Sequence, residues 1–225
     1  MIAARRGVFV TGTDTGVGKT VVACALIRGL RARGIDTGAM KPIETGVGAA
    51  GPADAIALRE AAGADDPLAD VCPQRFALPA APVVAARSEG RAVDLAAIDA
   101  AYARLRARHS FLVVEGAGGL LVPAAEGLSM ADLAQRLALP VLIVARGALG
   151  TINHTRLSLE AARSRGLAVA GVVISHADGP LAAAEVANLE YLRRDLGTAL
   201  LGEIPALAAG ALPGPEVLDL DALLG

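Results

Sequence analysis

Short β-branched runs alternate along the 225 residues with longer segments rich in alanine and leucine. GVFVT precedes VVACALIRGLRARG, TGAMK precedes ADAIALREAAG, FLVVE precedes SMADLAQRLA, VLIVA precedes INHTRLSLEAARSRG, and VAGVVIS precedes PLAAAEVANLEYLRRDLG. The runs are apolar at consecutive positions rather than at every second one. A strand of that kind must be covered on both faces, which predicts a mainly parallel sheet with helices on each side. The expected fold class is α/β, doubly wound. Hydrophobic residues make up 54% of the chain, much of that alanine, and only 2% are aromatic. Such a composition suits a core of Ala, Val, Leu and Ile in close helix-on-sheet packing. The length fits a single domain over residues 1–225, with a loose alanine, glycine and proline tail from about residue 208. Residues 46–52 read as a loop and residues 72–82 as a proline-punctuated irregular passage.

In sheets of this type ligands sit beyond the carboxyl ends of the strands. That rule gathers Thr11 to Thr20, Lys41, Glu115 to Gly119, Arg146 to Asn153, and Ser175 with His176 onto one rim.

The stretch GTDTGVGKT, residues 12–20, stands between the first apolar run and a helical pattern. A strand, then GVGKT, then an amphipathic helix is the context of a P-loop, where glycines let backbone N–H groups converge on phosphate oxygens at a helix amino terminus. Lys19 is then expected to neutralise the β and γ phosphates, and Thr20 to offer its hydroxyl to Mg²⁺. The spacing departs from the usual one by a residue, so Thr13 holds the position of the customary first glycine.

A Mg²⁺-bearing nucleotide calls for an acid at the end of another strand, and FLVVEGAGG supplies Glu115 where four apolar residues stop. Lys41 stands just before Pro42, which favours an extended conformation at the end of the second strand. Every basic residue other than Lys19 and Lys41 is an arginine. Two compact ammonium groups at two strand ends suggest point charges for phosphate or carboxylate.

Composition narrows the alternatives. A formal net charge of -2 and scattered arginines provide no field for polyanions, so nucleic acid is not an expected partner. Cys24 and Cys72 lack metal-ligand spacing and read as reduced thiols. No apolar run reaches the ~18 residues that span a bilayer, and Arg5 and Arg6 precede too short a run for a signal peptide. A cytoplasmic protein without a membrane partner is expected. His109, His154 and His176 form no metal spacing, and no G-x-S-x-G elbow is present.

Taken together, GTDTGVGKT, KPIETG, VEGAGGLLVP, LGTINHT and LLGEIPAL resemble the dethiobiotin synthase family over about residues 7–207. The resemblance implies a P-loop NTPase-like enzyme that closes the ureido ring of 7,8-diaminononanoate with CO2 and ATP, and that works as a homodimer. It implies that Gly16, Val17, Gly18, Lys19, Thr20 and Val21 hold the phosphates, and that Thr20, Asp54 and Glu115 are the Mg²⁺ partners. It makes Lys41 the active-site lysine and Thr45 a substrate contact, with Thr15, Gly116, Ala117 and Gly118 lining the same cavity. Leu149, Gly150 and Asn153 are implied as contacts to the substrate's carboxylate tail. Many members carry Asn and Asp where this chain has Ser175 and His176. Base selectivity is therefore expected to be looser, or to come from backbone groups near Pro205, Ala206 and Leu207. A rival reading is a ParA- or MinD-like ATPase switch, but such proteins carry a lysine early in the P-loop where this chain has Asp14.

Overall fold

The computed structural model describes residues 6–177, 179, 181–208, 211 and 213–225. In chain order the strands are β1 (Gly7–Gly12), β2 (Thr37–Met40), β3 (Ile43–Thr45), β4 (Gln74–Phe76), β5 (Phe111–Gly119), β6 (Pro123–Ala125), β7 (Leu128–Ser129), β8 (Val141–Arg146), β9 (Val169–Ser175) and β10 (Leu200–Ile204). The helices are α1 (Lys19–Ala32), α2 (Ala53–Ala62), α3 (Leu68–Val71), α4 (Pro82–Ser88), α5 (Leu95–Arg108), α6 (Met130–Arg136), α7 (Thr151–Ser164), α8 (Ala183–Leu196) and α9 (Leu220–Leu224).

Six strands form one parallel sheet in the order β10-β9-β8-β1-β5-β2. Successive side chains of a strand point to opposite faces, and here both faces are covered. Val8, Val10, Phe111 and Val113 join the core built with α1, α2 and α9. Phe9, Leu112, Val114 and Ile143 join the core built with α4 to α8. That division is why the strands are apolar at every position. Within α1, Leu26, Ile27 and Leu30 are wholly or almost wholly buried, so truncating any one of them to alanine should cost about 2–5 kcal/mol.

The chain leaves β1 towards β2 on one side and later towards β8, β9 and β10 on the other, and the reversal beside β1 creates a crevice at the strands' carboxyl ends. The P-loop follows β1, Lys41 follows β2, and Arg146 and Ser175 close β8 and β9. Glu115 is paired in register with Val10. It does not end its strand, because β5 continues through Gly119. The glycine after it has a steric reason: a Cβ at Gly116 would lie 2.7 Å from the Phe9 ring.

Three parts of the architecture differ from the sequence expectation. The supposedly irregular passage contains β4, which pairs in parallel with β3. A short antiparallel pair, β6 and β7, follows the glycine-rich end of β5, and Ser129 then opens α6 with a capping box to Asp132. Of the expected loose tail, residues 209, 210 and 212 lie outside the described residues, whereas the segment after them is docked. Leu218, Leu220 and Leu223 are buried in the α1 layer, Asp219 N donates to Leu201 O at 2.6 Å, and Arg33 pairs with Asp221. Apolar burial of three leucines outweighs the loop-like composition that precedes them. Among the described residues, no helix is long and apolar enough to cross a membrane.

Candidate active site

Gly18 sets the geometry of the P-loop. It caps α1 in the left-handed region at φ 89°, and a Cβ there would come within 2.5 Å of Ser175 Oγ, so both its backbone angle and its neighbour require glycine. No side chain caps α1, which leaves its first amides available to an anion. Lys19, the first residue of α1, is buried and its Nζ donates to Asp14 O at 3.1 Å. Burial lowers its pKa from the ordinary lysine value, against the opposing pull of Glu115. From β8, Arg146 donates through its guanidinium to Thr15 O at 3.2 Å and through its backbone N to Thr13 Oγ1 at 3.3 Å.

Beside the loop, Lys41 joins two carboxylates. Its Nζ lies 2.5 Å from Glu115 Oε1 and 2.9 Å from Asp54 Oδ2, with Gly116 O at 3.4 Å. Thr20 Oγ1 donates to the same Glu115 oxygen at 3.1 Å. Burial opposes the charge on Lys41, but Glu115 and Asp54 outweigh it and raise its pKa above the ordinary value. For Asp54 burial is again the largest influence and is again overcome, here by Lys41, so its carboxyl lies below the usual range. Burial pushes Glu115 upward while Lys41 pulls it back. Two carboxylates face the one ammonium, which holds Lys41 in its charged form.

These groups surround a hollow of about 360 Å³. Its walls include Thr15, Gly16, Gly18, Lys19, Thr20 and Val21 from the loop and α1, and Lys41 and Thr45 from the β2–β3 region. Asp54, Glu115, Ala117 and Gly118 complete the walls drawn from the predicted residues. Val17 is wholly buried and packs in the α1 layer, and Gly116 reaches the cluster through its carbonyl. Ser175, His176, Pro205, Ala206 and Leu207 do not line this hollow. They lie together at the ends of β9 and β10, where His176 N donates to Ile204 O and His176 Nε2 meets Glu203 Oε1 at 2.5 Å. Leu149, Gly150 and Asn153 also lie outside it, around the start of α7, with Leu149 exposed. A second hollow of about 420 Å³ adjoins the first at Thr15 and is walled by Leu120, Val122, His154 and Leu157.

Mg²⁺ fits the acidic side of the first hollow. Glu115 Oε2 is buried with no hydrogen-bond partner, next to a threonine hydroxyl and a second carboxylate. Among the described residues, no group of three or more His, Cys, Asp or Glu is arranged to hold an ion unaided. Mg²⁺ at nucleotide sites commonly takes one or two carboxylates and completes its shell with phosphate oxygens and water. Both cysteines are buried and their thiols are pushed up to about 12, chiefly by burial, which leaves them protonated and inert.

One residue of this site escaped the sequence reading. Glu44 is buried in the wall of the first hollow and accepts hydrogen bonds from Asp54 N and Ala55 N. Its only sequence signal is an acid three residues after Lys41, which looks like any solvated charge.

A parallel sheet wound in both directions, with a glycine-capped loop, a loop lysine and a strand carboxylate about one hollow, defines a P-loop NTPase-like protein. Residues 6–210 match the family described as an AAA domain. The solved MinC:MinD cell division complex of Aquifex aeolicus superposes with a TM-score of 0.53 at 14% identity, covering 90% of this chain and 82% of that one; this likeness is one of fold alone. An ATP-dependent dethiobiotin synthetase of Anaeromyxobacter dehalogenans (strain 2CP-C) is 55% identical over 192 residues, 83% of this chain and 86% of its own. One from Aromatoleum aromaticum is 42% identical over 219 residues, 96% of each chain. The chain belongs to the ATP-dependent dethiobiotin synthetase family.

Proposed function

We propose that the chain closes the ureido ring of dethiobiotin from 7,8-diaminononanoate and CO2 at the expense of ATP, as a C–N bond-forming ligase of biotin biosynthesis. A substrate amine and CO2 form a carbamate. Its oxygen attacks the γ phosphorus and ADP departs. The second amine then attacks the carbonyl carbon of the mixed carbamic-phosphoric anhydride, phosphate leaves, and the ring closes.

Every stage crowds anions, so stabilisation of developing charge is the main catalytic requirement. Lys19 would answer the β and γ phosphates, releasing its present hold on Asp14 O. Lys41 would face the γ phosphate and the carbamate, kept charged by the carboxylates around it. The amides of Gly16 to Val21 would cradle the phosphates, and Ala117 and Gly118 would bring backbone close to them. Thr20, Asp54 and Glu115 would hold Mg²⁺, which when bound would supply charge neutralisation for the phosphates. Thr15 and Thr45 would contact the diamino acid. Its apolar chain suits the neighbouring hollow across Thr15, leading to Leu149, Gly150 and Asn153. The base would lie towards Ser175, His176 and residues 205–207. Leu121 and Leu157, 52% and 58% exposed, line that second hollow, and with Leu149, 72% exposed just before α7, they would offer an apolar face for a second copy in a homodimer.

The convergence of Lys19, Lys41, Asp54 and Glu115 on one hollow is the observation that carries this reading. Purified protein given 7,8-diaminononanoate, bicarbonate, Mg²⁺ and ATP should form the ring with one phosphate released per product. ATP hydrolysis that ignores the diamino acid and rises with DNA or lipid would instead support the switch reading. Turnover with ATP, CTP and GTP tests base choice. A strong ATP preference surviving Ser175→Ala and His176→Ala would assign it to backbone groups.

A further inference from the structure

The helix that presents Asp54 begins without a cap of its own. Pro52 occupies the N-cap of α2 and contributes no side-chain hydrogen bond, yet first-turn N–H groups need acceptors. Glu44, ten residues earlier on β3, supplies them across the fold: Oε1 accepts from Asp54 N at 3.0 Å and Oε2 from Ala55 N at 2.9 Å. Only 6% of Glu44 is exposed. Burial raises its pKa above the ordinary value, and the two amides offset part of that rise. Between β3 and α2 runs a loop with Gly46, Gly48 and Gly51, of which Gly46 and Gly51 have positive φ, a connection with little stiffness of its own.

We infer that Glu44 is a positioning residue that fixes the first turn of α2, so that the Asp54 carboxylate is delivered to Lys41 and to the ion side of the hollow. The inference rests on the proposed role of Asp54 towards Mg²⁺. It also ties the short strand carrying Thr45 to the helix carrying Asp54, so that substrate and ion contacts share one support.

The test compares Glu44→Ala, Glu44→Gln, Asp54→Asn and the Glu44→Ala/Asp54→Asn double variant. In protein free of metal and nucleotide, amide exchange at residues 54 and 55 should quicken at least about five-fold in Glu44→Ala, the scale of a lost cap. Manganese binding in the presence of ADP, followed by electron paramagnetic resonance, should weaken about ten-fold, as for loss of a supporting partner behind a metal ligand. Glu44→Gln, which keeps one carbonyl acceptor and the fold, should fall between Glu44→Ala and the parent. Once Asp54 is already Asn, adding Glu44→Ala should change manganese binding by less than about two-fold, since independent effects add and coupled ones do not. Equal weakening in both backgrounds, or unchanged exchange in Glu44→Ala, overturns the inference. Loss of binding in Asp54→Asn with none in Glu44→Ala sinks the role of Glu44 alone, whereas unaltered binding in Asp54→Asn sinks the ion role of Asp54 and the inference with it.

Discussion

Carboxylates meet nitrogen groups at both ends of the parallel sheet, and the two ends treat them differently. At the amino-terminal edge, His109 lies between Asp36 and Asp66, with Nδ1 3.0 Å from Asp36 Oδ1 and Nε2 2.8 Å from Asp66 Oδ2. Arg108 Nε adds a charge contact at 3.1 Å to Asp66 Oδ1, a buried oxygen without a hydrogen bond, and the His109 ring packs where Gly38 lacks a side chain. Both ring nitrogens are committed within the protein. At the carboxyl edge Glu115 keeps an oxygen unpartnered beside a hollow of about 360 Å³, and Lys41 faces that same hollow. The two ends differ in what surrounds the open oxygen: that of Asp66 faces the Arg108 guanidinium, whereas that of Glu115 belongs to a residue in the wall of a hollow that can receive a ligand.

Variants at the two ends should separate function from stability. The largest effect belongs to the carboxyl edge. Lys41→Gln should lower turnover by at least ~100-fold, as expected for losing a charge contact in the transition state. Activity within a few-fold of the parent would remove the contrast altogether. Next, Glu115→Gln should weaken binding of the Mg²⁺–nucleotide complex by about 10- to 100-fold, read by calorimetry with ADP and Mg²⁺. Unchanged affinity would mean that the open oxygen has no ligand to receive.

At the amino edge the sign of the contrast reverses. His109→Ala should cost about 1–3 kcal/mol of unfolding free energy by leaving the buried Asp66 Oδ2 unpaired, while turnover of the folded protein stays within about two-fold. A large loss of turnover in fully folded protein would merge the two ends into one functional unit. The smallest effect is a pH dependence. The His109 hydrogen bond holds the Asp36 carboxyl below its ordinary 3.8. A carboxyl depressed in the folded state contributes stability above its unfolded pKa and loses it as pH falls through the folded value. Asp36 is half exposed, so solvent screening keeps that contribution small. The stability difference between parent and Asp36→Asn should therefore shrink in urea melts taken from pH 6 down towards pH 3; a difference that grows on acidification would contradict the sign.

The same contrast explains what could be read from the sequence. The strands announced themselves because burial on two faces leaves no polar position in a run such as Phe111 to Val114. Lys19 and Lys41 were legible because each directly follows a strand or its loop, where topology alone fixes the rim. Asp54 came only through the family resemblance, since an acid in a helix's first turn has an ordinary explanation. Glu44 and the cluster around His109 were not legible. Their partners lie at distant sequence positions, such as Asp36 and His109, and no local period encodes such a pairing. Short strands fail for a related reason. β4 has three residues and a single partner, so its pairing with β3 rather than its composition makes it a strand. The docked end likewise follows from three leucines finding the α1 layer, a contact that a window over residues 208–225 does not contain.

The hollow between Lys19, Lys41 and Glu115 is proposed to deliver a carbamate oxygen to the terminal phosphorus of ATP. A single turnover begun with oxygen-18-labelled CO2 in ordinary water, quenched before the label exchanges, tests it by mass spectrometry of the phosphate released. One labelled oxygen in each phosphate, formed together with dethiobiotin, is the predicted result. Phosphate carrying no label alongside normal ring formation would contradict it, because the oxygen reaching phosphorus would then have come from elsewhere.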